Sequence, residues 1–201
     1  MKIEKKYIIC ILSGILFSVF ITGTVIKTNE MEVQKRMAQE VFRFHVLANS
    51  DSEGDQTLKL QVKERILEYM KEELPVSESV EETKKWALEH LEDIEVVARE
   101  MICEKGYDYP VKARVTKCNF PQKTYGDVTF PSGEYEALRI EIGEAEGQNW
   151  WCVLYPNLCF IDAVHAVVPE EGKEELREVL DDEAYELVTS KTRFKIRWFF
   201  F

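Results

Sequence analysis

At 201 residues, 45% of them hydrophobic, and with a formal net charge of −11, the chain can bury one respectable core once its N-terminal stretch is set aside. The acidity argues against a nucleic-acid partner and against adsorption onto anionic headgroups, because both present negative charge. Residues 1–27 hold four lysines and one glutamate, so the remainder carries −14.

Lys2, Lys5 and Lys6 precede an uncharged run over residues 7–26. Its twenty residues match the ~20 that a helix needs to cross the hydrocarbon core of a bilayer. The basic flank keeps the N-terminus in the cytoplasm and sends the rest across. Only Thr22-Gly23-Thr24 stands near the end of the run, with no A-x-A, so residues 1–27 read as either a signal peptide or a signal anchor. Cys10 falls inside this run, membrane-buried and unpaired. Residues 28–40 are polar, with Met31, Val33 and Met37 thinly spaced, and form a juxtamembrane tether. Residues 41–201 form the exported domain.

Residues 41–48 (VFRFHVLA) predict a strand, with Phe42, Phe44 and Val46 on one side and Arg43, His45 and Leu47 on the other. The loop 49–55 breaks it. Ser52 with Asp55 predicts a capping box, and Leu58, Val62, Ile66 and Tyr69 or Met70 line one helical face behind it. A second box at Ser79 and Glu82 opens a longer helix, ended by Gly106 in a left-handed cap. Residues 109–119 alternate as a strand, and a short strand is expected at 128–130. Residues 136–142 alternate again. A polar turn at 143–149 then leads to residues 150–155, apolar on both faces as a central strand would be. Pro156-Asn157 turns the chain, so residues 158–161 run back as a second hairpin. One helix or two short ones are expected over 174–189, then a last strand over 193–200. The predicted class is α+β: a mostly antiparallel sheet with helices packed on one face.

Few side chains suggest chemistry. Asn49, Asp51, Glu53 and Gly54 fall at calcium-loop positions, but Leu60 stands where the bidentate glutamate belongs, so a capped strand-to-helix turn explains them better. Cys152 and His165 suggest a thiol and its base, yet Cys152 follows two tryptophans in a strand that reads as buried rather than in an electropositive cleft. The cysteines beyond the leader are Cys103, Cys118, Cys152 and Cys159. In an oxidising compartment they permit two disulfides in three connectivities, and otherwise they are buried thiols. The second hairpin sets Cys152 opposite Cys159, within reach of a cross-strand bridge. No metal, cofactor or small-molecule substrate is indicated. Trp150 and Trp151 must face opposite sides of one strand. One anchors the core, and the other is either core as well or a protein-binding hot spot ringed by Gln148 and Asn149.

Two blocks, FRFHVLANSDSEGDQTLKLQVKERIL and FPQKTYGDVTFPSGEYEALRIEIGEAEGQNWWCVLYPNLCFID, cover about a third of the chain and resemble the stage II sporulation protein R family of endospore-forming bacteria. Members often carry Pro-Pro where this chain has Pro156-Asn157. The resemblance implies a secreted or membrane-tethered signal made in the forespore and exported into the space between two membranes. There it would switch on a membrane-embedded aspartyl protease of the mother cell, which processes the precursor of an early sigma factor. It implies no catalytic residue. The surface expected to touch the protease combines Asn49, Ser50 and Asp51 with Gln148, Asn149, Trp150 and Trp151. The competing classes are an exported enzyme, such as a cell-wall hydrolase using Asp51 or Cys152, and a structural spacer.

Overall fold

A computed structural model describes residues 5–75, 77, 79–159 and 168–190. Helix α1 (Lys5–Glu40) carries the apolar run, with Leu16 73% and Phe20 67% exposed, and is long and apolar enough to cross a membrane. This fits a signal or membrane anchor. The helix continues unbroken through residues 28–40, where Val33 and Met37 are buried against the domain. Arg36 pairs there with Asp181 at 3.4 Å and with Glu183 at 2.7 Å.

The next elements are β1 (Phe42–Leu47), α2 (Glu53–Glu73), α3 (Val80–Glu89), α4 (Leu91–Glu104) and β2 (Val111–Phe120). A small hairpin, β3 (Lys123–Tyr125) and β4 (Val128–Phe130), leads to β5 (Gly133–Ile142) and β6 (Asn149–Tyr155), then α5 (Glu170–Val179) and α6 (Asp182–Thr189). The main sheet runs β2-β5-β1-β6. Its β2–β5 and β1–β6 pairs are antiparallel and β1–β5 is parallel, so the expected mostly antiparallel α+β class holds.

Among the described residues the apolar run 150–155, within β6, pairs with β1, which is inserted between it and β5. The run is apolar on both sides because each face of the sheet carries a layer. One local expectation is corrected: the helix from Ser79 is not continuous. It breaks at His90, whose backbone N–H and ring Nδ1 both reach the Trp86 carbonyl, at 3.1 and 2.8 Å, while the imidazole stacks on the Trp86 indole. Residues 156–159 form a tight turn in which the Cys159 N–H donates to the Val153 carbonyl at 3.0 Å. The remainder of that second hairpin, His165 and the strand over 193–200 lie outside the described residues.

Period-two alternation separates two cores. Phe44, Val46, Leu138, Ile140 and Cys152 face α2, α3 and α4. The local signals for those helices act as read: Ser52 accepts the Asp55 N–H, Leu58, Val62, Ile66 and Met70 are buried, and Gly106 (φ 80°) ends α4. On the opposite face Val33, Met37, Ala137, Val153, Phe130 and Val188 form a second core beneath the end of α1, the hairpin and α6.

That second core is built around Arg43, which is fully buried. Its Nε donates to the Cys152 carbonyl at 2.9 Å and an Nη to the Tyr125 hydroxyl at 3.0 Å. The guanidinium carbon lies 4.4 Å from the ring centre of Phe120, 4.9 Å from Tyr135 and 5.1 Å from Phe130. Among the described residues no carboxylate pairs with it, and its second Nη has no hydrogen-bond partner. Aromatic faces stand where a counterion would. The Tyr125 hydroxyl, buried beside it, is pushed well above the ordinary phenol range.

Candidate functional site

The strand β1 delivers the loop 49–55 to the end of the sheet opposite α1, and β5 delivers the loop 143–149 to the same end. Each loop must satisfy backbone groups that have left the ladder, and they do so on each other. Asn49 is the hinge of this clamp. Its Oδ1 accepts the Glu144 N–H at 3.0 Å and its carbonyl the Glu146 N–H at 3.2 Å, while its Nδ2 donates to Asp55 at 2.8 Å. Ala48 accepts from Gly147 at 3.0 Å. Gly143 has φ 59°, and a Cβ there would run into the Asn49 side chain, so only glycine fits.

Carboxylates lock the rest. Asp55 accepts from Ser50 Oγ at 2.5 Å as well as from Asn49, and these two bonds hold its carboxyl below the usual carboxylate range. Asp51 Oδ1 accepts the Gln148 N–H at 2.7 Å, and the nearly buried Lys59 ammonium donates to the Gln148 carbonyl at 2.9 Å. Burial lowers the pKa of Lys59, and the negative charge of Asp51 partly offsets that. Replacing Asn49 with alanine strands the Glu144 N–H and removes one of the bonds on Asp55. A loss of about 2 kcal/mol in folding stability is expected, with faster amide exchange at Glu144, read by denaturant melts and hydrogen exchange.

Beyond the clamp the two tryptophans diverge. Trp150 turns toward α2, edge-on to Phe44 at 5.7 Å, with Lys63 Nζ 5.1 Å from its ring centre. Trp151 turns to the other face, stacked on His45 at 4.8 Å and 14° and edge-on to Phe120 at 4.6 Å. Both are half-buried. The structure therefore gathers Asn49, Ser50, Asp51, Gln148 and Asn149 at one end of the sheet, with the tryptophans adjoining on its two faces. Much of the polar chemistry is turned inward. Asn49 and Ser50 are spent on the clamp, whereas Asp51, Glu144, Glu146 and Gln148 remain exposed.

The thiols Cys152 and Cys159 are free and neighbouring. Cys159 Sγ lies 2.9 Å from the Val153 carbonyl, and burial together with Cys152 pushes its thiol up. That direction opposes a thiolate nucleophile at this turn. Among the described residues no group of three or more His, Cys, Asp or Glu is placed to hold a metal ion.

Sequence reading missed Arg43, His45 and Lys59 as buried groups. Alternation alone sends charged residues of β1 outward, and only the second layer turns them in. Lys59 sits beside Leu58 on the buried side of α2, a position open to a lysine because Gln56 Oε1 and the Gln148 carbonyl both accept from its ammonium.

The family model described as stage II sporulation protein R matches residues 38–165, a span that begins at the docked end of α1 and contains both clamped loops. The stage II sporulation protein R of Bacillus subtilis (strain 168) is 33% identical over 188 residues, covering 89% of this chain and 84% of that protein. No solved structure matches the chain. On the family model's match and this identity over most of both chains, the chain belongs to the stage II sporulation protein R family.

Proposed function

We propose that the chain is an exported sporulation signal that acts by binding rather than by turnover. It leaves the forespore through its N-terminal helix, works in the space between two membranes, and favours the active state of a membrane-embedded aspartyl protease of the mother cell. The protease then processes an early sigma-factor precursor. A ligand of this kind shifts the protease only by as much as it binds the active state better.

One observation carries the reading. The clamped loops form a rigid, acidic, side-chain-rich end of the sheet, held a strand's length from the point where α1 enters, with half-buried tryptophans at its margin. Rigid loops on a scaffold are suited to recognition, because little entropy is lost when they dock. A hydrolase reading has weaker support: Asp51 is engaged by the Gln148 N–H, and Cys152 is buried.

The test is co-expression of the full chain with the protease and its precursor substrate in a non-sporulating cell. Precursor cleavage should require the chain and should stop when export is blocked. Asp51→Asn keeps an acceptor for Gln148 while removing the charge, and Trp151→Ala removes an aromatic anchor. Each should lower processing by about tenfold or more, as loss of a hot spot does. If both variants are exported, folded and fully active, the contact lies elsewhere.

A further inference from the structure

The four cysteines beyond the leader can pair in three ways on paper, and the fold brings one pair together. Cys103 is exposed in the last turn of α4, and Cys118 of β2 belongs to the second core. Cys152 and Cys159 both lie in the first core, beneath the helices. Their sulfurs sit on one oxygen: the Val153 carbonyl lies 2.9 Å from Cys159 Sγ and 3.7 Å from Cys152 Sγ. The same carbonyl accepts the Cys159 N–H at 3.0 Å, so the backbone carrying one thiol is bonded to the strand carrying the other. The two thiols also contact each other.

Burial first, and the Cys152 thiol second, push the Cys159 thiol above its ordinary range. A thiol held protonated attacks disulfides slowly, so the pair is sluggish once the domain has closed over it. Any bridge is therefore made while the chain folds. Thiols persist in a reducing cytoplasm, whereas an oxidising compartment outside it converts such a pair to a disulfide. After closure the burial of Cys152 shields the bond from small reductants.

We infer that Cys152 and Cys159 form an intrachain disulfide, made as the domain folds beyond the membrane. The Cys159 thiolate attacks a disulfide-carrying oxidant, an oxidised thiol–disulfide oxidoreductase or glutathione disulfide, and one thiol of the oxidant leaves. The Cys152 thiolate then attacks the Cys159 sulfur of that mixed disulfide, the intrachain S–S bond closes, and the second thiol leaves. Two electrons and two protons pass from the cysteines to the oxidant. The bridge fastens the 156–159 turn to β6, the strand that presents Trp151 at the candidate surface and the Cys152 carbonyl to Arg43. Where the bond forms rests on the export reading under Proposed function, whereas which cysteines pair does not.

The test uses the full chain, expressed in a non-sporulating cell with export permitted or blocked. Samples are quenched in acid, unfolded, alkylated and digested with trypsin, which releases both cysteines in one peptide, residues 140–173. From the exported chain this peptide should carry no alkyl group and be two hydrogens lighter than its reduced form. With export blocked it should carry two alkyl groups. The purified chain in lipid nanodiscs, unfolded in urea and diluted into a glutathione redox buffer, should bridge as well. Thiols in both the exporting cell and the buffer overturn the pairing, as does a bond to Cys103 or Cys118. A bridge in the buffer with thiols in the exporting cell overturns only the crossing, and the export reading with it. Dithiothreitol should lower the thermal midpoint of the bridged chain by roughly 5–10 °C, the expected effect of opening a loop of about eight residues. Cys152→Ser and Cys159→Ser should each abolish that response to reductant, which thiols that merely pack would never show. A bridged parent whose midpoint ignores reductant would overturn the fastening of β6.

Discussion

Replacing Arg43 with alanine is expected to lower folding stability by about 3–5 kcal/mol, a large part of the margin a domain of this size has. Two effects add. The Cys152 carbonyl and the Tyr125 hydroxyl lose their donor inside a sealed core, and the space among Phe120, Phe130 and Tyr135 is left as a cavity. Arg43→Met separates them, because it refills the volume and keeps contact with the rings while removing the charge and the donors. The methionine variant should recover at least about 2 kcal/mol of the alanine loss, since a buried charge without a carboxylate gains little from being charged. Denaturant melts of the three proteins decide it. Equal losses for alanine and methionine would show that the hydrogen bonds, not the packing, hold this core together.

Acid should act through His45. The imidazole is 2% exposed and its pKa is lowered from 6.5 to about 3, first by burial and then by the charges of Arg139 and Arg43. With the folded value below the unfolded one, the unfolded chain binds more protons throughout that interval. Stability is therefore full above pH 6.5 and falls as the pH drops toward 3. At about 1.4 kcal/mol per pH unit the loss approaches roughly 4 kcal/mol at the bottom of the window. The carboxyl of Asp55, also held low, adds its own acid sensitivity only below the ordinary carboxylate range. The upper part of the window thus isolates the histidine. His45→Phe keeps the stack on Trp151 and removes the titration, so its stability should be flat where the parent declines. Thermal midpoints at intervals from neutral pH down to about 4.5 measure this, and parallel declines in the two proteins would contradict it.

What could be read in advance was local. The Ser52 cap, the buried face of α2 and the left-handed Gly106 each depend on residues within a turn or two of one another, and each stands as the pattern implied. The pairing of strands depends on contacts far apart in sequence. Nothing in residues 150–155 announces that β1, more than a hundred positions earlier, will enter between β5 and β6. Arg43 was illegible for a related reason. A charged residue in an alternating strand signals solvent, and only the rings of Phe120, Phe130 and Tyr135, gathered from three other strands, make its burial tolerable. The candidate surface was half legible. Its two segments do meet, but most of the side chains that mark them turn out to fasten one to the other.

The docking of α1 restricts where the leader can be trimmed. Val33, Met37 and Val41 are 5%, 1% and 1% exposed, so the last turns of the helix belong to the folded lobe. A peptidase that cuts upstream of Val33 releases a chain whose second core is intact. One that cuts after Met37 uncovers that core and leaves an apolar surface prone to aggregation. The junction between the apolar run and the folded domain is thus narrower than the polar appearance of residues 28–40 suggests.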